Sequence, residues 1–274
     1  MTVKYLANAK INIGLNVVEK RSDGYHNLET VFYPLPVYDE LTVEEDPGLQ
    51  DDYQLEVEGL QVTTSAEDNL IIKAFRLLQK EFKLGKTSIR LQKNIPFGAG
   101  LGGGSSDAAF MLKALNELYG LSLSTGQLEN YAVKLGADCP FFIRNEPVFA
   151  TGIGNVFQPV SLSLRGFQFV LIKPDIHVST PEAYAGVRPG RSVNSLQESI
   201  LLPVETWREC IVNDFELSVF KKYPYIGEIK EYLYQSGAVY ATMSGSGSSV
   251  IGIFAQSQEL PVLSENLVFF RGNF

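Results

Sequence analysis

Apolar and polar residues alternate at period two early in the chain: Ile11, Ile13, Leu15 and Val17 share one face, and Leu41 and Val43 continue the pattern. That period is the mark of strands. The spacing then changes. Ser65-Ala66-Glu67-Asp68 has the form of a capping-box-like helix start, and Leu70, Ile71, Ala74, Leu77, Leu78 and Phe82 follow at helical intervals. Residues 88–95 return to strand spacing. A glycine-rich loop then leads into a predicted helix over about 105–119 that buries Ala108, Ala109, Leu112, Leu115 and Tyr119, with Gly120 at the C′ position that stops it. A short helix near 127–135 ends at Gly136.

The second half predicts strands over 167–173, 238–243 and 249–254 and a helix over 224–235. Thr180-Pro181 places a hydroxyl N-cap before a proline at the first helical position. The mixture predicts an α+β chain. Its 274 residues accommodate two closely packed domains, with a boundary near 150–155 that divides the chain into 1–153 and 154–274.

Composition narrows the partners. At 45% hydrophobic and 20% charged, the chain has the balance of a globular protein with a sizeable core, and no segment approaches the ~18–20 apolar residues of a membrane helix. Met1-Thr2-Val3-Lys4-Tyr5-Leu6 lacks the apolar core of a signal peptide and reads as a first strand. Cys139 and Cys210 are far apart, which fits reduced thiols and a cytoplasmic protein. His26 and His177 fall in no clustered Cys/His spacing, so no structural zinc site is expected. A net charge of −8 argues against a nucleic-acid surface. A phosphorylated small molecule remains compatible, given local positive potential from backbone N–H groups, a helix N-terminus, a few lysines or Mg²⁺.

The most informative stretch is Ile95-Pro96-Phe97-Gly98-Ala99-Gly100-Leu101-Gly102-Gly103-Gly104-Ser105-Ser106. Five glycines in seven residues let the backbone reach positive φ and approach a ligand closely. Between a strand and a helix, the free N–H groups and the helix dipole converge where a phosphate sits, and Ser105 and Ser106 add hydroxyls able to bond phosphate or Mg²⁺. Without a ligand, five glycines are costly for a simple loop. Gly98 to Gly103 match the dinucleotide fingerprint, but Leu121-Ser122-Leu123-Ser124-Thr125 stands where its acidic residue and next strand belong. The G-K-[ST] ending of a P-loop is missing.

The stretch instead resembles the ATP motif I-P-x-x-x-G-L-G-G-G-S-S of the superfamily of galactokinase, homoserine kinase and mevalonate kinase. That superfamily's other two landmarks occur in order, Ala9-Lys10-Ile11-Asn12 and Met243-Ser244-Gly245-Ser246-Gly247-Ser248-Ser249. Arg21-Ser22-Asp23-Gly24-Tyr25-His26-Asn27-Leu28-Glu29-Thr30 resembles the R-x-D-G-Y-H-x-L-x-T pattern of the diphosphocytidyl-methylerythritol kinases within it. The Asp23-Gly24 pair is itself a turn signal. On residue chemistry alone, Tyr25 packing a hairpin edge beside a solvent-facing His26 is the plainer reading.

The resemblance implies an ATP-dependent kinase using Mg²⁺ that phosphorylates the 2-hydroxyl of 4-diphosphocytidyl-2-C-methyl-D-erythritol in non-mevalonate isoprenoid precursor synthesis. Another alcohol kinase of the superfamily, or a non-catalytic nucleotide-binding regulator, are the alternatives. It implies an N-terminal ribosomal-protein-S5-like domain with a left-handed βαβ unit, a C-terminal ferredoxin-like domain, and an active site in the cleft between them. Asp138, in Gly136-Ala137-Asp138-Cys139-Pro140, becomes the base; on sequence alone the plainer reading is that it N-caps a short helix opening around Pro140. Lys10, otherwise an ordinary exposed lysine, becomes the cation beside that base and the transferred phosphate. Cys139 is read as packing.

ATP is assigned to Pro96, Gly98, Gly100, Leu101, Gly102, Gly103, Gly104, Ser105 and Ser106, with Asn69 and Lys93 carried over from neighbouring motifs. The cytidine substrate is assigned to Asn12, Asp23, Tyr25, His26, Thr180, Tyr184, Ser246 and Gly247. Tyr25 and Tyr184 would sandwich the cytosine and His26 would read its polar edge. Metal ligands are unassigned, and no nucleic acid, membrane or obligate protein partner is implied.

Overall fold

The alternating positions form two long strands, β1 (Thr2–Lys20) and β2 (His26–Glu45), in the computed structural model, which describes residues 1–60, 68–190, 194–263 and 268–274. β1 departs from simple alternation, because every residue from Ala7 to Val17 is buried. Its polar face is therefore enclosed too, and Asn8, Lys10, Asn12 and Asn16 must find partners inside the protein. The chain forms two compact units interleaved along the sequence.

The first unit comprises Met1–Ala9, Val37–Phe97 and Gly102–Glu146. The later half of β2 pairs antiparallel with β4 (Thr87–Lys93), Glu40 opposite Gln92 through Glu45 opposite Thr87. β4 pairs in parallel with β3 (Tyr53–Gly59). Parallel neighbours need a crossover, and α1 (Leu70–Gln79) supplies it. The expected start at Ser65-Ala66-Glu67 lies outside the described residues. The cap of α1 is Asn69, whose side chain accepts the Ile71 N–H at 2.9 Å, and Phe82 falls beyond its end.

Helix α2 (Gly103–Leu118) begins two residues before the expected Ser105 because Gly102, at φ 70°, takes the cap position in a left-handed conformation. Gly120, at φ 58°, stops it as read. Helix α3 (Thr125–Val133) starts ahead of the expected 127 because Ser124 and Gln127 close a capping box. Helix α4 (Phe141–Arg144) completes this unit.

The second unit comprises Lys10–Pro36, Gly98–Leu101 and Pro147–Phe274. Here the first half of β2 pairs with β5 (Val148–Thr151), which pairs with β6 (Val156–Pro159). A second sheet, antiparallel throughout, runs in the order β10 (Val268–Asn273), β7 (Phe167–Lys173), β9 (Val250–Ala255), β8 (Tyr240–Met243). Between β7 and β8 the chain forms α5 (Thr180–Ala185), α6 (Leu196–Ser199), α7 (Trp207–Cys210), α8 (Phe215–Lys222) and α9 (Pro224–Gln235). Leu15 and Val17 of β1 share one buried cluster with Val170, Ile172, Phe215, Ile226, Leu233, Met243 and Phe254. Thr180 is not the cap of α5. Ser179 is, accepting the Glu182 N–H, so Thr180 is the first helical residue and Pro181 the second. Two sheets and their helices make the fold α+β, as the spacing predicts.

Candidate active site

Three stretches far apart in sequence meet in the second unit. The Lys10 N–H donates to the Leu101 carbonyl at 2.9 Å, and its ammonium donates to Asn12 Oδ1 at 2.6 Å while lying 4.8 Å from the centre of the Phe32 ring. The Asn12 N–H donates to Ser244 Oγ, which donates onward to the Gly100 carbonyl at 2.8 Å. Asn12 Nδ2 donates to Thr30 Oγ1, and that hydroxyl donates to the Gly14 carbonyl. The Ser249 N–H reaches the Ala99 carbonyl. The backbone N–H groups of Lys10 and Asn12 thus tie β1 to the glycine-rich loop and the second glycine turn, while the buried Lys10, Asn12 and Thr30 side chains bond to one another.

Close backbone approach explains the glycines here. Gly100 has φ 77°, and a Cβ on it would lie 2.0 Å from the Ser244 carbonyl oxygen. Positive φ falls on Gly98, Gly100 and Gly102, whereas Gly103 and Gly104 are the first helical residues of α2. Gly98 packs close to His177, with 3.1 Å from its would-be Cβ to Cε1. Gly100→Ala is expected to cost at least ~1–2 kcal/mol from left-handed strain alone, a fall in Tm of about 2–8 °C, and to weaken ATP binding. An unchanged melting curve with unchanged ATP affinity would show that the loop tolerates a side chain there.

Asn213 and Glu216 shape the second glycine turn, and no sequence motif pointed to either. Asn213 Nδ2 donates to the Met243 and Gly245 carbonyls, both at 2.8 Å, and Glu216 accepts the Met243 N–H at 2.8 Å. Ser246 Oγ lies 3.5 Å from Thr180 Oγ1. The Asp23-Gly24 turn is framed by Arg21, which donates to Asp23, while Asp23 accepts the Tyr25 N–H. The Arg21 guanidinium holds the Asp23 carboxyl below its ordinary range. His26 stacks on Tyr184, with ring centres 4.7 Å apart and planes 19° apart, and Tyr184 sets its edge against Phe215. Tyr25 is 62% exposed. The aromatic pair that the structure brings together is therefore His26 with Tyr184.

In the first unit, Asp138 lies half-buried in the turn before α4, its carbonyl accepting the Phe141 N–H. The cap residue of α4 is Pro140, with no side-chain cap bond, so the helix-capping role for Asp138 does not hold. Cys139 is fully buried; burial pushes its thiol up to about 12, against the pull of a hydrogen bond with Ser105, so it packs as a neutral group. The Ser106 hydroxyl donates to the Asn8 carbonyl at 2.7 Å. Lys113, which no motif singles out, donates from α2 to the Phe142 carbonyl at 2.8 Å, and burial lowers its ammonium to about 8. Lys93 is buried between Asp39 and Asp107.

Comparison with known proteins identifies the family of the chain. The family described as GHMP kinases N terminal domain matches residues 69–146, and GHMP kinases C terminal matches 199–267. A 4-diphosphocytidyl-2-C-methyl-D-erythritol kinase of Bacteroides thetaiotaomicron is 55% identical over 267 residues, covering 97% of each chain. Another, of Parabacteroides distasonis, is 56% identical and covers 90% of each. The crystal structure of a 4-(cytidine 5'-diphospho)-2C-methyl-D-erythritol kinase superposes with a TM-score of 0.76 at 34% identity, covering 91% of this chain and 89% of that one. A mevalonate kinase structure, 13% identical with a TM-score of 0.70, shares the fold. The chain belongs to the GHMP kinases and, within them, to the family of the 4-diphosphocytidyl-2-C-methyl-D-erythritol kinases. It is an ATP-dependent kinase, and its two-domain α+β fold is that of the family. Among the described residues, no helix is long and apolar enough to cross a membrane.

Proposed function

We propose that this chain transfers the γ-phosphoryl group of ATP to the 2-hydroxyl of 4-diphosphocytidyl-2-C-methyl-D-erythritol. The observation that carries the substrate is the stacked His26–Tyr184 pair behind the Arg21–Asp23 turn, in a family whose named members act on a cytidine diphosphate. A planar base has rings to stack on there, which an acceptor such as mevalonate would not use.

In this reading the glycine-rich loop and the N-terminus of α2 direct N–H groups at the phosphates of ATP. Asp138 accepts the proton of the 2-hydroxyl as that oxygen forms its bond to the γ-phosphorus and the bond to ADP breaks. Lys10, held by Asn12, places positive charge for the developing negative charge. The Asn12 amide and Ser246 position the alcohol. Mg²⁺ bound to the nucleotide would neutralise phosphate charge. Such an ion keeps most of its ligands from phosphates and water and takes one or two from protein. The half-buried Ser105 hydroxyl in the first turn of α2 is an oxygen donor of the kind it accepts, and no group of three His, Cys, Asp or Glu converges elsewhere among the described residues.

Phosphorus NMR of the reaction mixture tests the proposal. The cytidine substrate with ATP should yield one ADP per new phosphomonoester, with the substrate's own diphosphate intact. Release of cytidine monophosphate, or ADP without a new monoester, would overturn it.

A further inference from the structure

The most heavily buried ionic cluster among the described residues lies at both ends of the glycine-rich loop. Lys93, the last residue of β4, is 3% exposed, and its ammonium donates to Asp39 on β2 and to Asp107 on α2, the latter at 2.7 Å. Asp39 also accepts the Asn94 and Ile95 N–H groups, at 2.6 and 2.8 Å. These are the residues that lead from β4 into the loop. Asp107 sits in the second turn of α2, which leads out of it. Gly103 closes the arrangement, since a Cβ there would lie 2.9 Å from Ile95 Cγ2 and 3.0 Å from Lys93 Nζ.

We infer that Asp39, Lys93 and Asp107 are positioning residues that clamp the two ends of the ATP loop, and that Lys93 acts through this clamp rather than by touching the nucleotide. The inference rests on the loop holding ATP. Two of the three donors of the Lys93 ammonium are committed to Asp39 and Asp107, and taking that ammonium out to a phosphate would strand both acids in a low-dielectric interior. Burial pushes the Lys93 ammonium down, but Asp107 and Asp39 together raise it above its ordinary value, so the clamp keeps its cation at neutral pH.

The cluster carries two carboxyl groups to one ammonium, and Asp107 Oδ1 is buried with no hydrogen-bond partner. An unpaired buried anionic oxygen is costly, and the cluster relieves it by holding a proton. Burial raises the Asp107 carboxyl to about 7, with Lys93 opposing and Asp39 adding to the rise. Those two, from β4 and β2, are the charged groups that act on it; α1, α3 and α4, packed around α2 or its neighbours, contribute none among the described residues. Because the folded-state value lies above the ordinary one, this group's stabilisation is full below the usual carboxylate range and is lost as pH rises through about 7. Above that pH the clamp gains a negative charge under the helix end that faces phosphate.

Calorimetric titration of ATP into wild type and Asp107→Asn from pH 6 to 9, with thermal melts of Lys93→Met and of Lys93→Met/Asp107→Asn, tests this. Wild-type affinity for ATP reports the kinase reading; differences between variants report the clamp. ATP's own ionisation is common to both proteins and cancels in their ratio. As pH rises, wild type should lose affinity relative to Asp107→Asn by on the order of tenfold, the effect of one charge felt through protein at about 10 Å. Lys93→Met should lower Tm by roughly 10 °C, and adding Asp107→Asn should recover part of both Tm and ATP affinity. Parallel pH curves for wild type and Asp107→Asn would overturn the inference. So would a Lys93→Met protein that melts like wild type yet loses ATP affinity without rescue, the signature of a direct ligand.

Discussion

Asp138→Asn is expected to lower kcat by ~10²–10⁴, the usual contribution of a positioned base, while ATP affinity changes little. The amide keeps the shape of the side chain and leaves the backbone of the turn intact, in which the Asp138 carbonyl accepts the Phe141 N–H. What it removes is the charge and the proton acceptor. Because the cap of α4 is Pro140, the helix should not suffer, and the variant should melt close to wild type. Lys10→Met should fall similarly in kcat. The two groups act on one event, so the double variant should lose much less than the product of the single losses. Steady-state kinetics with circular dichroism melts decide this. Near-normal turnover in Asp138→Asn would remove it from the chemistry.

The second large effect is on the substrate side. Stacking a base on an aromatic ring is worth about 1–3 kcal/mol, roughly five- to 150-fold in binding. Tyr184→Ala should raise KM for the cytidine substrate within that range and leave KM for ATP nearly unchanged. Tyr184 also packs against Phe215 and the core around it, so alanine will lower stability as well. Tyr184→Phe separates the two effects: it keeps ring and packing and should keep KM. Tyr25→Ala is the cleaner probe, because an exposed ring leaves no cavity. His26→Ala removes the stacked partner of Tyr184 and should narrow the discrimination between cytidine and uridine forms. Unchanged KM in both alanine variants would keep the kinase and discard the cytosine pocket.

The site was legible where function demands unusual backbone. Gly98, Gly100 and Gly102 are glycine because their φ is positive, and Gly100 additionally because the Ser244 carbonyl leaves no room for a side chain. Such demands show in sequence as clusters of glycine and serine, so the convergence of residues near Lys10, Gly100 and Ser244 could be expected before it was seen. Supporting polar residues leave no such trace. Asp39 and Lys93 are 54 positions apart; Lys93 stands out only through the family resemblance, as an ATP contact, and Asp39 sits in no pattern that distinguishes it from a solvated charge. Asn213 reads as a loop residue until its amide is found on the carbonyls of Met243 and Gly245. Period-two alternation located β1 but could not say that its polar face would be enclosed as well, because that depends on what packs against it. Cap positions shifted for a similar reason: Ser179 and Thr180 are both competent caps, and the fold selects the first.

In the proposed function the kinase chooses its acceptor by the cytidine group. The most direct measurement is kcat/KM, from ADP release, for 4-diphosphocytidyl-2-C-methyl-D-erythritol set against the same alcohol without the cytidine diphosphate, and against mevalonate and homoserine. Both aromatic contacts are missing from the truncated alcohol, so a preference of at least about 30-fold for the cytidine compound is predicted from stacking alone. Equal or faster ADP release with an acceptor that carries no cytidine would contradict the account.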